Sequence, residues 1–389
     1  MAALRPNARQ NKWLRIWLTV SFAVLFAGPF LYHSRIPLLN TVDVLFFLPS
    51  LTLLTRALVS GDHRLLLDKV LLPLYAFLGW VLLTMAWAPD PNGSRTVRAV
   101  VEIIILVGMM RWLHLYYRHT LKHALANGAM AAMVVLAVII VSYYTIQPLT
   151  SPLYSQPASL IFNLPQPGPM LSTMGLVAPT FILLAQALDE GFGPKGARRA
   201  AGALVGFAFL LLVNWQSGVM LLVAALAWGL LRGGWRWLAA LAGAVALYLA
   251  LDYSVLQHIG EYLTHPIFGN GFSQESGDTL IVTTAHGIRF IPDPDNILLA
   301  LLHSTGVIGL ILFVATWAVP AWKLPNSGQP GDGTVFLVAV VPGLLAMLVA
   351  GNYLLVPFHA SWMSLWLPLA LMLASLSVRQ APRGTVHPT

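Results

Sequence analysis

PDPDNILLALLHSTGVIGLILF, residues Pro292 to Phe313, decides what kind of chain this is. From Ile297 onward it reads as a helix fit for lipid. Yet it opens on the pair Asp295 and Asn296, keeps an imidazole inside at His303, and spaces Gly306 and Gly309 three apart. An ionisable side chain at membrane depth is costly and marks either function or a dedicated partner.

The rest of the chain is membrane-grade too. Of 389 residues 58% are hydrophobic and 9% charged, against roughly 25% charged in a soluble protein. Apolar runs near the ~20 residues that cross a bilayer recur along the whole length. The spans fall at about 13–32, 38–59, 70–88, 97–117, 124–146, 168–188, 199–215, 217–231, 235–251, 296–319, 335–354 and 358–378. The first run is long and lacks a small-residue cleavage site, so it reads as a span and not as a signal peptide. The expectation is an all-α, polytopic integral membrane protein of about twelve transmembrane helices, 1–389 forming a single membrane domain. There is no cysteine, which removes disulfides, thiolate metal sites and a cysteine nucleophile.

Orientation follows from where lysine and arginine fall. Eighteen of the 22 basic residues lie on alternate connections, among them Arg56, Arg64, Lys69, Arg111, Arg118, Lys122, Lys195, Arg198, Arg199 and Lys323. These connections are read as cytoplasmic, with both termini inside. The net charge of +8 thus describes topology and not a nucleic-acid surface. The other four cations, Arg35, Arg95, Arg98 and Arg289, fall on the outer side. Either each is a surface or snorkelling arginine, or they are guanidinium forks gathered for an anion, a geometry suited to phosphate. Arg98 has Glu102 at i+4, so a helical ion pair alone would account for it.

Two outer connections are long. Gln147 to Gly168 carries no charge and reads as an ordered or interfacial segment. Asp252 to Asp295 concentrates polar chemistry: His258, Glu261, His265, Glu275, Asp278, His286, Arg289, Asp293 and Asp295. Its start, YSVLQHIGEYL, has the spacing of an interfacial helix. Its middle, HPIFGNGF with Gly269 and Gly271, is rich in turn residues. The histidine spacing builds no convincing metal set, and no glycine is followed by the lysine of a phosphate loop. No cofactor is called for. Gly306 and Gly309 read as a close helix-packing patch.

Asn296 to Leu299, followed by Gly306-x-x-Gly309, resembles the hallmark of the O-antigen ligase and O-antigen polymerase superfamily: His-Asn, nine residues, Gly-x-x-Gly. HPIFGNGF, His265 to Phe272, is similar to the family's Pro-x-x-Gly-x-Gly element. WAPDPNGSRTVR, Trp87 to Arg98, resembles the Trp-Ser-x-Asp-Pro stretch of the exopolysaccharide-polymerase branch. Three departures accompany the likeness. The family histidine is Asp295 here, and two usual arginines are missing, one at Asn214–Gly218 and one around Leu251 and Asp252.

The resemblance implies a metal-independent, inverting glycosyltransferase on the periplasmic face of the bacterial inner membrane. Its donor would be an undecaprenyl-diphosphate-linked glycan and its acceptor another glycan or a lipid-linked sugar, with membrane lipid and other polysaccharide-assembly proteins as neighbours. Outer arginines would neutralise the departing diphosphate, and a His or Asp would take the acceptor proton. Arg289, Arg98, Arg95 and Arg35 are the diphosphate candidates; Asp295, His286 and Arg289 are the catalytic ones. Asp295 is open to two roles, capping its helix or acting as base. Asn296 and His303 share a helical face, so His303 is either a wall of the cavity or a buried histidine bonded to a neighbour. A repeat-unit polymerase is the first reading and a ligase onto lipid A-core the alternative. A transporter of the same glycan, or a non-catalytic assembly subunit, completes the set.

Overall fold

A computed structural model describes residues 8–31, 35–88, 93–150, 179–184, 186–187, 190, 193–213, 265–272, 279–284, 287–292, 297–323, 355 and 360–377. The expected spans 217–231, 235–251 and 335–354, and the interfacial helix at the start of the long loop, lie outside these residues. The fold is that of a helical, polytopic membrane protein. Its helices are α1 (Ala8–Leu31), α2 (Arg35–Val42), α3 (Leu48–Val59), α4 (Leu72–Thr84), α5 (Gly93–Thr150), α6 (Pro194–Val213), α7 (Ile297–Lys323) and α8 (Ala360–Ser377). Among the described residues four segments are long and apolar enough to cross a membrane: Pro37–Val59, His63–Trp87, Gly93–Val138 and Ile297–Pro320. The third is 46 residues long, about twice what one crossing needs. Its helix breaks at Tyr117, where φ −137 and ψ 32 leave the helical range. That is where the hydropathy ended one span and prepared the next.

Three features depart from the expectations. Helix α5 continues to Thr150, so the long connection expected from Gln147 begins as helix. The second span is interrupted by a π-helical turn, Asp43–Phe47. A π turn displaces the carbonyl ladder by one residue; here Leu45 O accepts from the Trp17 indole N–H at 2.6 Å and from Ser21 Oγ at 3.4 Å. The long loop holds an antiparallel hairpin, β1 (Thr279–Thr284) and β2 (Gly287–Pro292), with Val282 opposite Arg289. Strands TLIVTT and GIRFIP are rich in β-branched residues and separated by two, which is a hairpin signal.

The core is aliphatic and aromatic, as lipid-compatible packing requires. Phe77 of α4 packs between the tilted rings of Phe313 of α7 (5.5 Å) and Trp366 of α8 (6.4 Å). Gly128 lets α5 lie on α1, where a Cβ would sit 3.1 Å from Thr19 O and Ala23 N. Small residues at such contacts are how membrane helices approach closely.

Helix α4 runs between two chemically different ends. Near its start the connection 61–71 is clamped to α5: Arg111 Nη2 meets Asp68 Oδ2 at 2.5 Å, with both side chains almost fully buried. The Tyr75 hydroxyl donates to Leu66 O at 2.6 Å, and Tyr116 OH bonds Asp62. Gln186 donates to Lys122 O, and Arg199 pairs with Glu190 at 2.5 Å. The connections read as cytoplasmic therefore meet at one end of the bundle, where Arg64, Lys69, Arg111, Lys122 and Arg199 lie. Breaking a buried ion pair on one side costs about 3–5 kcal/mol, whereas replacing both partners by apolar residues costs far less. Arg111→Leu alone is expected to lower the thermal unfolding midpoint of the detergent-solubilised protein strongly. Asp68→Leu added to it should recover most of the loss; additive loss in the double variant would show that the pair does not hold the clamp.

Candidate active site

At the far end of α4 the three sequence patches come together. Helix α7 is not continuous: Gly306 has φ 68 and ψ −172, a left-handed conformation that glycine adopts without the usual penalty. The break exposes backbone groups that a continuous helix would pair. The stretch HPIFGNGF supplies the partners. Val307 N–H donates to Pro266 O at 2.8 Å and Ile308 N–H to Ile267 O at 3.5 Å; Asn270 N–H donates to His303 O at 2.8 Å and Gly271 N–H to Ser304 O at 3.0 Å. The fifth group, Thr305 O, accepts from the Trp80 indole at 2.9 Å. In lipid, irregular backbone is tolerated only when it is satisfied in this way.

The glycines follow from that closeness. A Cβ on Gly306 would land on Ile267 O, and one on Gly269 would sit 2.5 Å from the Ser304 carbonyl. Gly271, with φ 91, leaves no room above Ala88, whose N would be 2.5 Å from an added Cβ. Trp87, beside Ala88, donates its indole N–H to Gly269 O at 3.3 Å. The packing-patch reading of Gly306 is thus corrected: it is a helix break that receives a loop. Gly309 does make a tight contact, its Cβ position facing Thr305 and lying 3.2 Å from Trp80 Cδ1.

The sequence-derived residues fare differently. His303 is half-buried, and its Nδ1 lies 3.0 Å from Asn270 Nδ2, so it bonds across to the docked loop. Arg98 donates Nε to Glu102 Oε1 at 2.7 Å and Nη2 to Asp43 Oδ2 at 2.6 Å. The expected i+4 pair is there, and the π turn adds a second carboxylate. Arg95 is exposed at the start of α5, and Arg35 opens α2. Arg289 is in β2. His286, Asp295 and Asn296 lie outside the described residues. Missed from sequence were Trp80, Asn270, Phe268 and Asp43. Tryptophan spacing on α4 gave no sign of the first, because its partner is 225 positions away.

Fold and site together define a polytopic membrane protein with an inter-helix loop locked into a broken helix. No family model matches the chain. It is 26% identical over 320 residues to the O-antigen ligase of Pseudomonas aeruginosa strain PAO1, covering 77% of this chain and 76% of that protein. The likeness to an O-antigen ligase, carried in the sequence by three short patches, thus extends across most of the chain's length.

Gly306→Ala tests the break. That pair of dihedrals, nearly exclusive to glycine, alone costs about 1–3 kcal/mol for a residue with a Cβ, and the new methyl must also displace the loop backbone. The expected outcome is a protein that inserts but unfolds at markedly lower temperature, with proteolysis gained in 265–272. Wild-type stability would mean that the loop is not docked there.

Proposed function

We propose that this protein is a glycosyltransferase of the outer face of the bacterial inner membrane, joining polyprenyl-diphosphate-linked oligosaccharides. The observation that carries the reading is the convergence of Trp87–Ala88, His265–Phe272 and His303–Gly309 at one end of the bundle. Those are the patches by which the sequence resembles the glycan-joining superfamily, and the fold gives them a common place. The opposite placement of the basic clamp supports an outer location for that end, by the orientation rule.

In the proposed step an acceptor hydroxyl attacks the anomeric carbon of the donor. The new C–O bond forms as the bond to the diphosphate oxygen breaks, with inversion, and the diphosphate leaves with the electron pair. The hydroxyl proton passes to the Asp295 carboxylate or to His286. Arg289 and Arg95 meet the departing diphosphate, with Arg35 nearby in the outer set. Arg98 already faces two carboxylates, so its charge is spent on holding α5 to the π turn. An anion there would meet net negative charge.

Two versions are kept. In the polymerase version the acceptor is another lipid-linked repeat unit, favoured by the Trp87 to Pro91 patch. In the ligase version it is lipid A-core, favoured by the name of the Pseudomonas relative. Purified protein given a lipid-linked repeat unit alone should produce a ladder of longer chains if it polymerises. A single transferred block, seen only when lipid A-core is added, selects the ligase. No product in either mixture overturns the proposal.

Asp295→Asn separates base from cap. Asparagine caps a helix about as well as aspartate but takes up no proton at neutral pH. Turnover should fall roughly 10²–10⁴-fold, the range of a lost general base, with unfolding temperature unchanged. Undiminished turnover would assign Asp295 to capping. For sidedness, a cysteine at Ser276 should react with an impermeant thiol reagent added outside, and one at Ser327 should not; the reverse would place the site on the wrong face.

A further inference from the structure

The described rim of the motif end carries groups that the joining step leaves unused. Trp87 and Phe268 are 40% and 54% exposed, and both rest on half-buried Trp80, each with ring centroids 6.1 Å away. A tryptophan that merely anchors a protein at the membrane interface sits with its polar end at headgroup level. Here both indole N–H groups turn inward, to Thr305 O and Gly269 O. What Trp87 and Phe268 present outward is ring surface. Beside them stands the Asn270–His303 pair, both side chains half-buried. It is held in place by the 2.8 Å bond from Asn270 N–H to His303 O. Aromatic surface next to a fixed amide and imidazole suits a ligand with an apolar face and a polar edge. A pyranose has that form: ring C–H groups on one face, hydroxyls around the rim. Trp80, Trp87, Phe268 and Asn270 bear no charge, which suits a neutral sugar better than a diphosphate.

We infer that Trp87, Phe268, Asn270 and His303 form a saccharide subsite that holds one neutral pyranose residue of the glycan. The inference rests on the proposed glycan-joining function for the nature of the ligand, but it is a claim about binding and not about turnover. The full chain in nanodiscs is mixed with lipid-free surface glycan, released by mild acid from the cells that make the protein. Saturation-transfer NMR and titration then read binding. The wild type is expected to transfer saturation to sugar ring protons. Phe268→Ala and Asn270→Ala should each weaken binding about three- to tenfold, the scale of one lost aromatic contact or hydrogen bond. Phe268→Trp should keep it, and so should Leu51→Ala, which removes exposed apolar surface on α3. Should Asn270→Ala unfold, Phe268→Ala carries the test alone, because that side chain is largely exposed. Absence of wild-type binding, or equal binding by Phe268→Ala, overturns the subsite. Running the joining assay in parallel separates the two claims. Joining by the wild type with undisturbed Phe268→Ala binding sinks only the subsite. Binding lost in Phe268→Ala without any joining by the wild type sinks only the activity.

Discussion

A helix that stops and restarts inside a membrane protein must find partners for the backbone groups it releases, and the rest of this structure depends on how that is met. At Gly306 two amides and three carbonyls are taken up by Pro266 O, Ile267 O, Asn270 N, Gly271 N and the Trp80 indole. Each such group left bare in lipid costs several kcal/mol, so the loop cannot leave without disrupting the helix. The composition of the loop follows. Proline at 266 contributes a carbonyl and needs no amide partner. Gly269 and Gly271 adopt positive φ and lie too close to Ser304 and Ala88 for any side chain.

Ion pairs anchor helix α5 at two levels of the bundle. Helix α5 is tied at Arg98 to the π turn and to Glu102, and thirteen residues later at Arg111 to Asp68. At 1.5 Å per residue these ties are about 20 Å apart. One belongs to the motif end, the other to the basic end. The chemistry is alike but the surroundings differ. Arg111 and Asp68 are sealed, whereas Arg98 remains partly open. The open tie tolerates water and the sealed one depends on its partner.

Much of this was legible in the sequence, and the reasons for the rest are specific. Apolar runs located α1, α4, α5, α7, α8 and the segment Pro37–Val59 that holds α3 to within about five residues, because length and hydropathy are dictated by the bilayer. The break at Gly306 was not legible. Gly-x-x-Gly is equally the signal of close packing, and only the partner loop 35 or more residues earlier distinguishes the two. The hairpin was legible in principle, since TLIVTT and GIRFIP carry β-branched residues on both sides of a two-residue link; polar density in the loop drew attention to chemistry instead. The Arg98–Glu102 pair was visible as i+4, but Asp43 was not, since a π turn places it there. Convergence of the three patches is a tertiary fact that spacing along the chain does not contain.

The clip also shapes the chain that the proposed chemistry relies on. The segment from Phe272 to Ile297 leaves the docked loop and returns to the broken helix, and both of these terminal residues are buried in the same apolar core. It is therefore an excursion closed at its base. Closing a loop removes entropy once, and here the folding of the clip and core supplies the closure. The hairpin from Thr279 to Pro292 pairs two strands of the excursion with each other. Arg289 belongs to the returning strand, and Asp295 follows three residues after it ends. Two residues proposed for one reaction thus share a tether with a fixed base. Orientation of reacting groups is worth more than their mere presence, and the short stretch of chain between Arg289 and Asp295 limits how far the arginine and the carboxylate can separate. In the proposed reaction the cation and the carboxylate thus come from one segment of the chain.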